Sequence, residues 1–126
     1  MIRISLCSIF VKDQQKALNF YTQIIGFKLK EDVPIGEHRW ITVGHSDNEL
    51  KLVLEPSAHS AAKQYQETIY KDGIPATMFY VDNIDNEYKF LTNKGVIFKS
   101  PPAKMGDVKI AIFDDTCGNF ISLCEK

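Results

Sequence analysis

The chain has few cysteines, and their spacing suggests no covalent framework. Its 126 residues include three of them, Cys7, Cys117 and Cys124. The number is odd and no two form a CxxC pair, the spacing typical of thiolate zinc sites and redox motifs. The sequence therefore argues against a disulfide framework and against a zinc site built from cysteine thiolates.

The chain also lacks an excess of positive or negative charge, and it lacks long apolar segments. Fifteen Lys and Arg residues stand against sixteen Asp and Glu, which leaves a formal net charge of −1 without any block of like charge. Such a surface attracts nucleic acid and anionic membranes only weakly, so we expect neither as a partner. The early apolar stretch Leu6 to Val11 is broken by Ser8 and lacks a small-residue cleavage site. We therefore predict no signal peptide, no membrane span and a cytoplasmic location.

What the chain does contain is an internal repeat. Val11-Lys12-Asp13 precedes a helical stretch that ends near Gly26, and Val81-Asp82-Asn83 precedes one that ends near Gly95. The two leading triplets are seventy positions apart, whereas the two glycines are sixty-nine apart, as if the second helix were one residue shorter. We interpret the two segments as copies of one supersecondary unit.

Each copy is predicted to fold as βαβββ, so the fold class is α+β. In the first copy Ile4 to Val11 has the composition of a strand, Asp13 is placed to cap a helix and Gly26 to end it. This copy is then predicted to contain three strands and one polar turn: Lys28 to Val33, His38 to Val43, Gly44 to Glu49 as the turn, and Leu50 to Glu55. The second copy is predicted to contain a strand, a helix and three strands: Ala76 to Val81, about Ile84 to Asn93, Val96 to Lys99, Val108 to Phe113 and Asn119 to Cys124.

A helix is predicted between the two copies. Ser60 to Tyr70 is rich in helix formers, Ser60 is a candidate cap, and Gly73-Ile74-Pro75 is a stop signal. No low-complexity tract separates the copies. We therefore predict one domain over residues 1–126, with the first module at about 2–55, the linker helix at about 57–72 and the second module at about 74–125.

The combination of these features resembles the vicinal oxygen chelate superfamily, which includes glyoxalase I, bleomycin-resistance proteins and extradiol dioxygenases. The resemblance rests on the two modules, on Phe20-Tyr21 with Gly26-Phe27, and on Asp114 to Phe120 before the last strand. It implies a half-open barrel with a central cavity that takes a small-molecule ligand. Similarity to the bleomycin-resistance branch also implies a homodimer. A shared scaffold carries many activities, so the chemistry must come from the site.

The resemblance also implies four positions for metal ligands, one on the first and one on the last strand of each module. Counting from Asp13 and from Asp82 assigns the first-strand positions to Leu6 and Ala76. Counting from Gly118 assigns the last-strand position of the second module to Ser122, whose counterpart seventy positions earlier is Leu52. Divalent metals require nitrogen or oxygen donors, and of these four side chains only Ser122 has an oxygen. We therefore predict no metal and no cofactor. Glu55 is interpreted as a solvated strand end, and His45 and His59 as surface residues.

Strand alternation predicts which side chains face the cavity. If Leu6 and Ala76 point inward, so do Ser8, Phe10, Met78 and Tyr80, whereas Ile9 and Val11 face a helix. The same reasoning gives eight candidate ligand-binding residues: Ser8, Phe10, His38, Trp40, Thr42, Met78, Tyr80 and Ser122. Aromatic rings here would stack on a flat ligand, and the polar groups would donate or accept hydrogen bonds. The alternative is that these side chains fill the barrel as core.

Two functions from different classes remain. The first is a small-molecule binding protein that uses no metal and takes an aromatic or hydrophobic compound. The second is a divergent enzyme, a lyase or a dioxygenase-like protein. It would use either metal ligands at other positions or His38 and Tyr80 as acid and base. Cys117 is favoured as a turn residue, because no neighbouring base would activate its thiol, and Asp114 and Asp115 are favoured as turn formers. The sequence favours binding and names no catalytic residue.

Overall fold

The computed structural model, which describes residues 1–47 and 49–126, contains two units of one design. The first is Met1–Gln64 and the second is Tyr65–Lys126. The first unit contains β1 (Leu6–Val11), α1 (Gln14–Asn19), a π-helical turn (Phe20–Ile24), β2 (Lys28–Ile35), β3 (His38–Gly44) and β4 (Lys51–Pro56). The helix α2 (Ser60–Lys71) spans the boundary, and the second unit continues with β5 (Thr77–Val81), α3 (Ile84–Asn93), β6 (Ala103–Met105), β7 (Val108–Asp114) and β8 (Phe120–Glu125).

Both sheets have the same strand order. The first runs β1-β4-β3-β2 and the second β5-β8-β7-β6. In each sheet the first strand of the unit lies parallel to the last, and the other neighbours are antiparallel. The predicted α+β class with two βαβββ modules is confirmed.

The predicted strand at Val96 to Lys99 is wrong. Phe98 forms an isolated bridge to Phe113, and the strand of this copy lies at Ala103–Met105. Apolar composition suggested a strand at Val96, but Val96 is buried and its N–H donates to Leu91 of α3. Val96 therefore belongs to the end of the helix, whereas Ile97 and Lys99 make single backbone hydrogen bonds with residues 112–114. The polar turn predicted at Gly44 to Glu49 includes Asn48, which lies outside the described residues.

Side-chain caps and glycines set the ends of the first helix of each unit, as the sequence predicts at Asp13 and Gly26. Asp13 accepts a hydrogen bond from the N–H of Lys16, and Asn83 accepts one from Asn86, each over 3.0 Å. These side chains pair backbone donors that the first helical turn leaves unpaired. Gly26 and Gly95 each have a φ of 92°, a left-handed conformation that favours glycine.

The one-residue difference between the two helical segments lies in the π-helical turn. Within it the N–H of Ile25 donates to Phe20, five residues earlier, and the N–H of Phe27 donates to Tyr21, six residues earlier. A π turn contains one more residue than a regular α turn. The first copy thus takes up its extra residue inside the helix, and α3 runs from Ile84 to Asn93 as a regular α-helix.

The core of each unit lies between one face of its sheet and its helix. In the first unit the buried side chains include Ile9, Val11, Ala17, Tyr21, Ile41, Val43 and Leu54. In the second they include Ile84, Leu91, Ala111, Phe113, Ile121 and Leu123. Burial of each large aliphatic side chain contributes about 1.5–3 kcal/mol. In each sheet the helix therefore covers one face, and the opposite face is not covered by that helix.

Candidate functional site

One face of the first sheet packs against α1, and polar contacts identify it. Arg39 of β3 donates to the Gln15 side chain of α1 over 2.8 Å, so Ile41 and Val43, which alternate with it, face the same helix. We call the opposite side the open face of the first sheet. Strand register places on it Leu6, Ser8, Phe10, Glu31, Val33, His38, Trp40, Thr42, Lys51, Val53 and Glu55.

The second sheet is oriented by the same kind of contact. Lys109 of β7 pairs with Asp85 of α3 over 2.9 Å, and Glu125 of β8 accepts from the N–H of Ile84 over 2.7 Å. Side chains that alternate with these two form the open face of the second sheet. Its members include Met78, Tyr80, Val108, Ile110, Ile112, Ser122 and Cys124.

All eight candidate residues lie on these two open faces. Ser8, Phe10, His38, Trp40 and Thr42 lie on that of the first sheet, and Met78, Tyr80 and Ser122 on that of the second. Their accessibility differs. Tyr80 is 65% exposed and Met78 49%, whereas Thr42 is fully buried and Ser122 is 7% exposed. Thr42 and Ser122 are therefore much less accessible than Tyr80 and Met78, whereas Ser8 is exposed.

A polar cluster around Glu31, which the sequence analysis missed, lies on the open face of the first sheet. Oε1 of Glu31 accepts from Oγ1 of Thr42 over 3.0 Å, from Nζ of Lys51 over 3.0 Å and from Nε1 of Trp40 over 3.4 Å. These hydrogen bonds, that of Lys51 above all and then those of Thr42 and Trp40, lower the pKa of Glu31 below its ordinary value of 4.5. Glu31 is therefore a carboxylate at neutral pH and fixes the indole of Trp40.

A β-bulge explains why simple alternation did not predict this cluster. Leu29 pairs with Val43 on the helix-facing side, and the register then shifts by one residue at Lys30. As a result Glu31 pairs with Thr42 on the open face, although strict alternation would place it on the same side as Leu29. The bulge thus turns a carboxylate toward Trp40.

A cavity of about 590 Å³ adjoins this cluster. Arg3, Lys30 and Lys51 contribute basic side chains to its lining, Glu49 contributes an acidic one and Leu6 an apolar one. Lys51 belongs to both the cavity lining and the Glu31 cluster, and Leu6 is its partner on β1. The cavity is therefore a predominantly basic space beside an aromatic ring.

The assignment of Leu52 to the open face is wrong. Leu52 pairs with Cys7 and Val43, which places it on the helix-facing side, where it is 9% exposed. The counterpart of Ser122 is Val53, because Ser8 pairs with Val53 as Met78 pairs with Ser122. The repeat spacing is seventy at the first strands and sixty-nine at the last ones, so a constant offset of seventy shifts the face.

The same shift of one residue decides which face Glu55 occupies. It pairs with Phe10 and so lies on the open face, whereas Glu125, seventy positions later, faces α3. With Val53 in place of Leu52, the four family positions still offer a single hydroxyl, that of Ser122, and do not fit a divalent ion. Among the residues that the structure describes, no group of three or more His, Cys, Asp or Glu side chains is arranged to hold a metal ion.

Other residues that the sequence offered as reactive belong to structural contacts. Asp115 accepts from the N–H groups of Cys117 and Asn119 over 2.7 and 3.0 Å, which forms the turn before β8. Cys117 is 1% exposed in that turn. Asp114 accepts from the N–H of Thr116 over 2.7 Å. The preference for turn formation at these positions is confirmed. Arg39, next to Trp40 in sequence, points away from it.

The comparisons with known proteins agree with this fold. Residues 3–123 match the Glyoxalase/Bleomycin resistance protein/Dioxygenase superfamily. The chain belongs to that family, as its sequence pattern indicated. In the described part of the chain, no helix is both long and apolar enough to cross a membrane.

The chain is similar over nearly its whole length to one curated protein and to two solved structures. The chain is 53% identical to the uncharacterized protein YurT of Bacillus subtilis (strain 168), over 99% of this chain and 100% of the relative. The crystal structure of UcmS2 is similar with a TM-score of 0.85 and 34% identity, covering 98% of each chain. TnmS3, an antibiotic binding protein from Streptomyces sp. CB03234, is similar with a TM-score of 0.77 and 26% identity, covering 99% of this chain and 96% of that one.

Proposed function

We propose that this protein binds a small aromatic or hydrophobic molecule on its open faces and does so without a metal ion or other cofactor. The observation that carries the proposal is Trp40, which lies half-buried on the open face of the first sheet and donates its indole N–H to Glu31. A ring fixed in this way offers a flat stacking surface with little further loss of side-chain freedom on binding.

The surrounding side chains suit the same role. Phe10 and Val33 lie on the open face of the first sheet with Trp40, and Met78 and Tyr80 on that of the second. Ligand sites are typically apolar and aromatic surfaces with a few placed polar groups, as found here with Glu31. The similarity to TnmS3, an antibiotic binding protein, supports binding rather than turnover.

Metal analysis tests whether the protein binds its ligand without a metal ion. We expect purified protein to contain less than a stoichiometric amount of any divalent ion. Addition of Ni, Zn, Mn or Fe should leave its melting temperature unchanged, because the family positions lack donors. A stoichiometric bound ion, or a strong rise of the melting temperature with one of these metals, would refute metal-independent binding.

A ligand screen tests whether aromatic compounds bind at Trp40. Aromatic compounds should raise the melting temperature in the presence of EDTA, and the effect should be lost in Trp40→Ala. Phe90→Ala is the control, because Phe90 is an exposed aromatic residue on α3 and outside both open faces. Equal ligand effects in the native protein and Trp40→Ala would overturn the proposed site.

We also propose that the protein acts as a cytoplasmic homodimer. The exposed apolar side chains Leu6, Ile4 and Met78 favour association. Light scattering coupled to size-exclusion chromatography should give twice the chain mass of 14.3 kDa. A mass of one chain across micromolar concentrations would contradict the dimer.

A further inference from the structure

We propose that Lys51, held by Glu31, binds an oxyanion of the ligand, so that the preferred ligand is an aromatic molecule with a carboxylate or another deprotonated oxygen. This inference rests on the proposed binding function and specifies its ligand class. It is carried by the position of one ammonium group beside one indole ring.

The ammonium group of Lys51 is fixed yet accessible. Its Nζ lies 3.0 Å from Oε1 of Glu31, and the Lys51 side chain is 36% exposed. A lysine ammonium has three N–H donors. Glu31 is the one hydrogen-bond acceptor that the described part of the chain supplies to it, so further donors remain for a ligand oxygen. Because Glu31 holds the long side chain in place, binding costs less rotamer freedom than at an unrestrained lysine.

The same carboxylate oxygen places the ammonium beside the aromatic surface. Nε1 of Trp40 lies 3.4 Å and Nζ of Lys51 lies 3.0 Å from Oε1 of Glu31. The indole edge and the ammonium therefore flank one atom. A ligand oxygen in contact with Lys51 brings an attached aromatic ring to the neighbourhood of Trp40, and this favours an acidic group directly on, or one bond from, the ring.

The charge of the adjoining cavity selects an anion over a cation. Arg3, Lys30 and Lys51 line the cavity, whereas Glu49 is the acidic residue of its lining. A negative group on the ligand would be attracted and a positive group repelled, and the effect would weaken as salt screens it. The Glu31 carboxylate offsets the charge of Lys51 but does not reverse this preference, because Arg3 and Lys30 still outnumber Glu49 among the other charged lining residues.

Three probes with one aromatic body test the inference: 2-naphthoate, its neutral amide 2-naphthamide, and 2-(aminomethyl)naphthalene as the cation. Their dissociation constants are measured by isothermal titration calorimetry in EDTA at neutral pH. We expect 2-naphthoate to bind most tightly and the cation most weakly. Raised salt should weaken the binding of 2-naphthoate and leave that of 2-naphthamide nearly unchanged.

Substitutions of Lys51 separate its charge from its shape. Lys51→Met should weaken 2-naphthoate about tenfold, the typical cost of losing a hydrogen bond to a charged group, and leave 2-naphthamide within about twofold. Lys51→Arg keeps the charge and should retain most of the affinity. Lys109→Met is the matched control, because it removes a lysine with a 2.9 Å ion pair on the helix-facing side of the second sheet. It should leave the 2-naphthoate affinity unchanged.

The outcomes distinguish this inference from the proposed function. Equal affinities of native protein for 2-naphthoate and 2-naphthamide, or an unchanged 2-naphthoate affinity in folded Lys51→Met, would overturn the role of Lys51 while metal-independent aromatic binding stands. Failure of all three probes to bind at millimolar concentration would overturn both. Circular dichroism of each variant establishes that it is folded. If Lys51→Met is not folded, Lys51→Gln, which also removes the charge, decides the question by the same two outcomes.

Discussion

Tyr70 of α2 donates its phenolic hydrogen bond to Oδ2 of Asp114, the last residue of β7, over 2.5 Å. The Tyr70 ring also stacks on Phe120 with 4.5 Å between ring centroids. One side chain thus joins α2 to two neighbouring strands of the second sheet. The contact places a neutral donor against a carboxylate, which is among the stronger kinds of hydrogen bond.

Removal of this hydroxyl should destabilise the protein. Tyr70→Phe keeps the stacked ring and loses the hydrogen bond, so we expect the free energy of unfolding to fall by about 1–2 kcal/mol in urea titrations. Tyr65→Phe is the control, since Tyr65 is 56% exposed on the same helix and should change little. Equal effects of the two substitutions would contradict the role of Asp114.

The same contact gives a pH dependence. The hydrogen bond to Asp114 raises the pKa of Tyr70 above its ordinary value of 10.0. A group whose folded pKa is raised contributes stability that is present below the unfolded pKa and lost as the pH rises through the folded one. Native protein should therefore lose stability more steeply than Tyr70→Phe above about pH 10. Parallel urea midpoints for the two proteins between neutral pH and pH 11 would refute this prediction.

Glu125 should stabilise α3, whereas Glu55, seventy positions earlier in the sequence, should not stabilise α1. The carboxylate of Glu125 accepts from the N–H of Ile84, the first residue of α3, over 2.7 Å. A negative charge at a helix N-terminus contributes about 0.3–1 kcal/mol, so Glu125→Gln should lower the free energy of unfolding by that amount. Glu55→Gln, on the open face, should leave it unchanged. A loss in both variants would argue against the register described above.

Gln14 should be the side chain whose amide most strengthens the attachment of α1 to the first sheet. Its Nε2 donates to the carbonyls of Arg39 and Leu54 over 2.6 and 2.9 Å, and its Oε1 accepts from the N–H of Arg39 over 3.1 Å. Gln14→Met keeps the length and loses all three bonds, so we expect a destabilisation of about 2–3 kcal/mol. The same change at Gln64, which is exposed on α2, is the control in a thermal melt.

Thr116 should be a site where a substitution stabilises the protein. Its φ is 63°, a left-handed conformation that is unfavourable for a β-branched residue. Thr116→Gly removes this strain and keeps the backbone bond to Asp114, so the free energy of unfolding should rise by about 1 kcal/mol. Gly118, with a φ of 99°, should show the opposite sign when changed to Ala. Chemical denaturation of both variants measures the pair; destabilisation by Thr116→Gly would be contrary evidence.

Local signals in the sequence predicted most of the fold. The cap at Asp13 and the helix-ending glycines act over a few residues, and the structure places them as expected. The register between strands that are distant in the sequence could not be predicted from such local signals. The face of Leu52 depends on its register against β1, which no local pattern specifies, and a one-residue error exchanges the two faces. Glu31 was missed for a related reason, because the bulge at Lys30 interrupts the alternation.

The π-helical turn at Phe20–Ile24 has a consequence for tracing how the two halves diverged. If both halves descend from one duplicated segment, their difference in length arose as an insertion or a deletion within a helix, where such changes are usually selected against. The first half accommodated it by widening one turn and kept Gly26 as its terminus. An alignment of the halves that confines gaps to loops would therefore pair the wrong residues along part of this helix, and ancestral sequences reconstructed from it would carry the error at those positions.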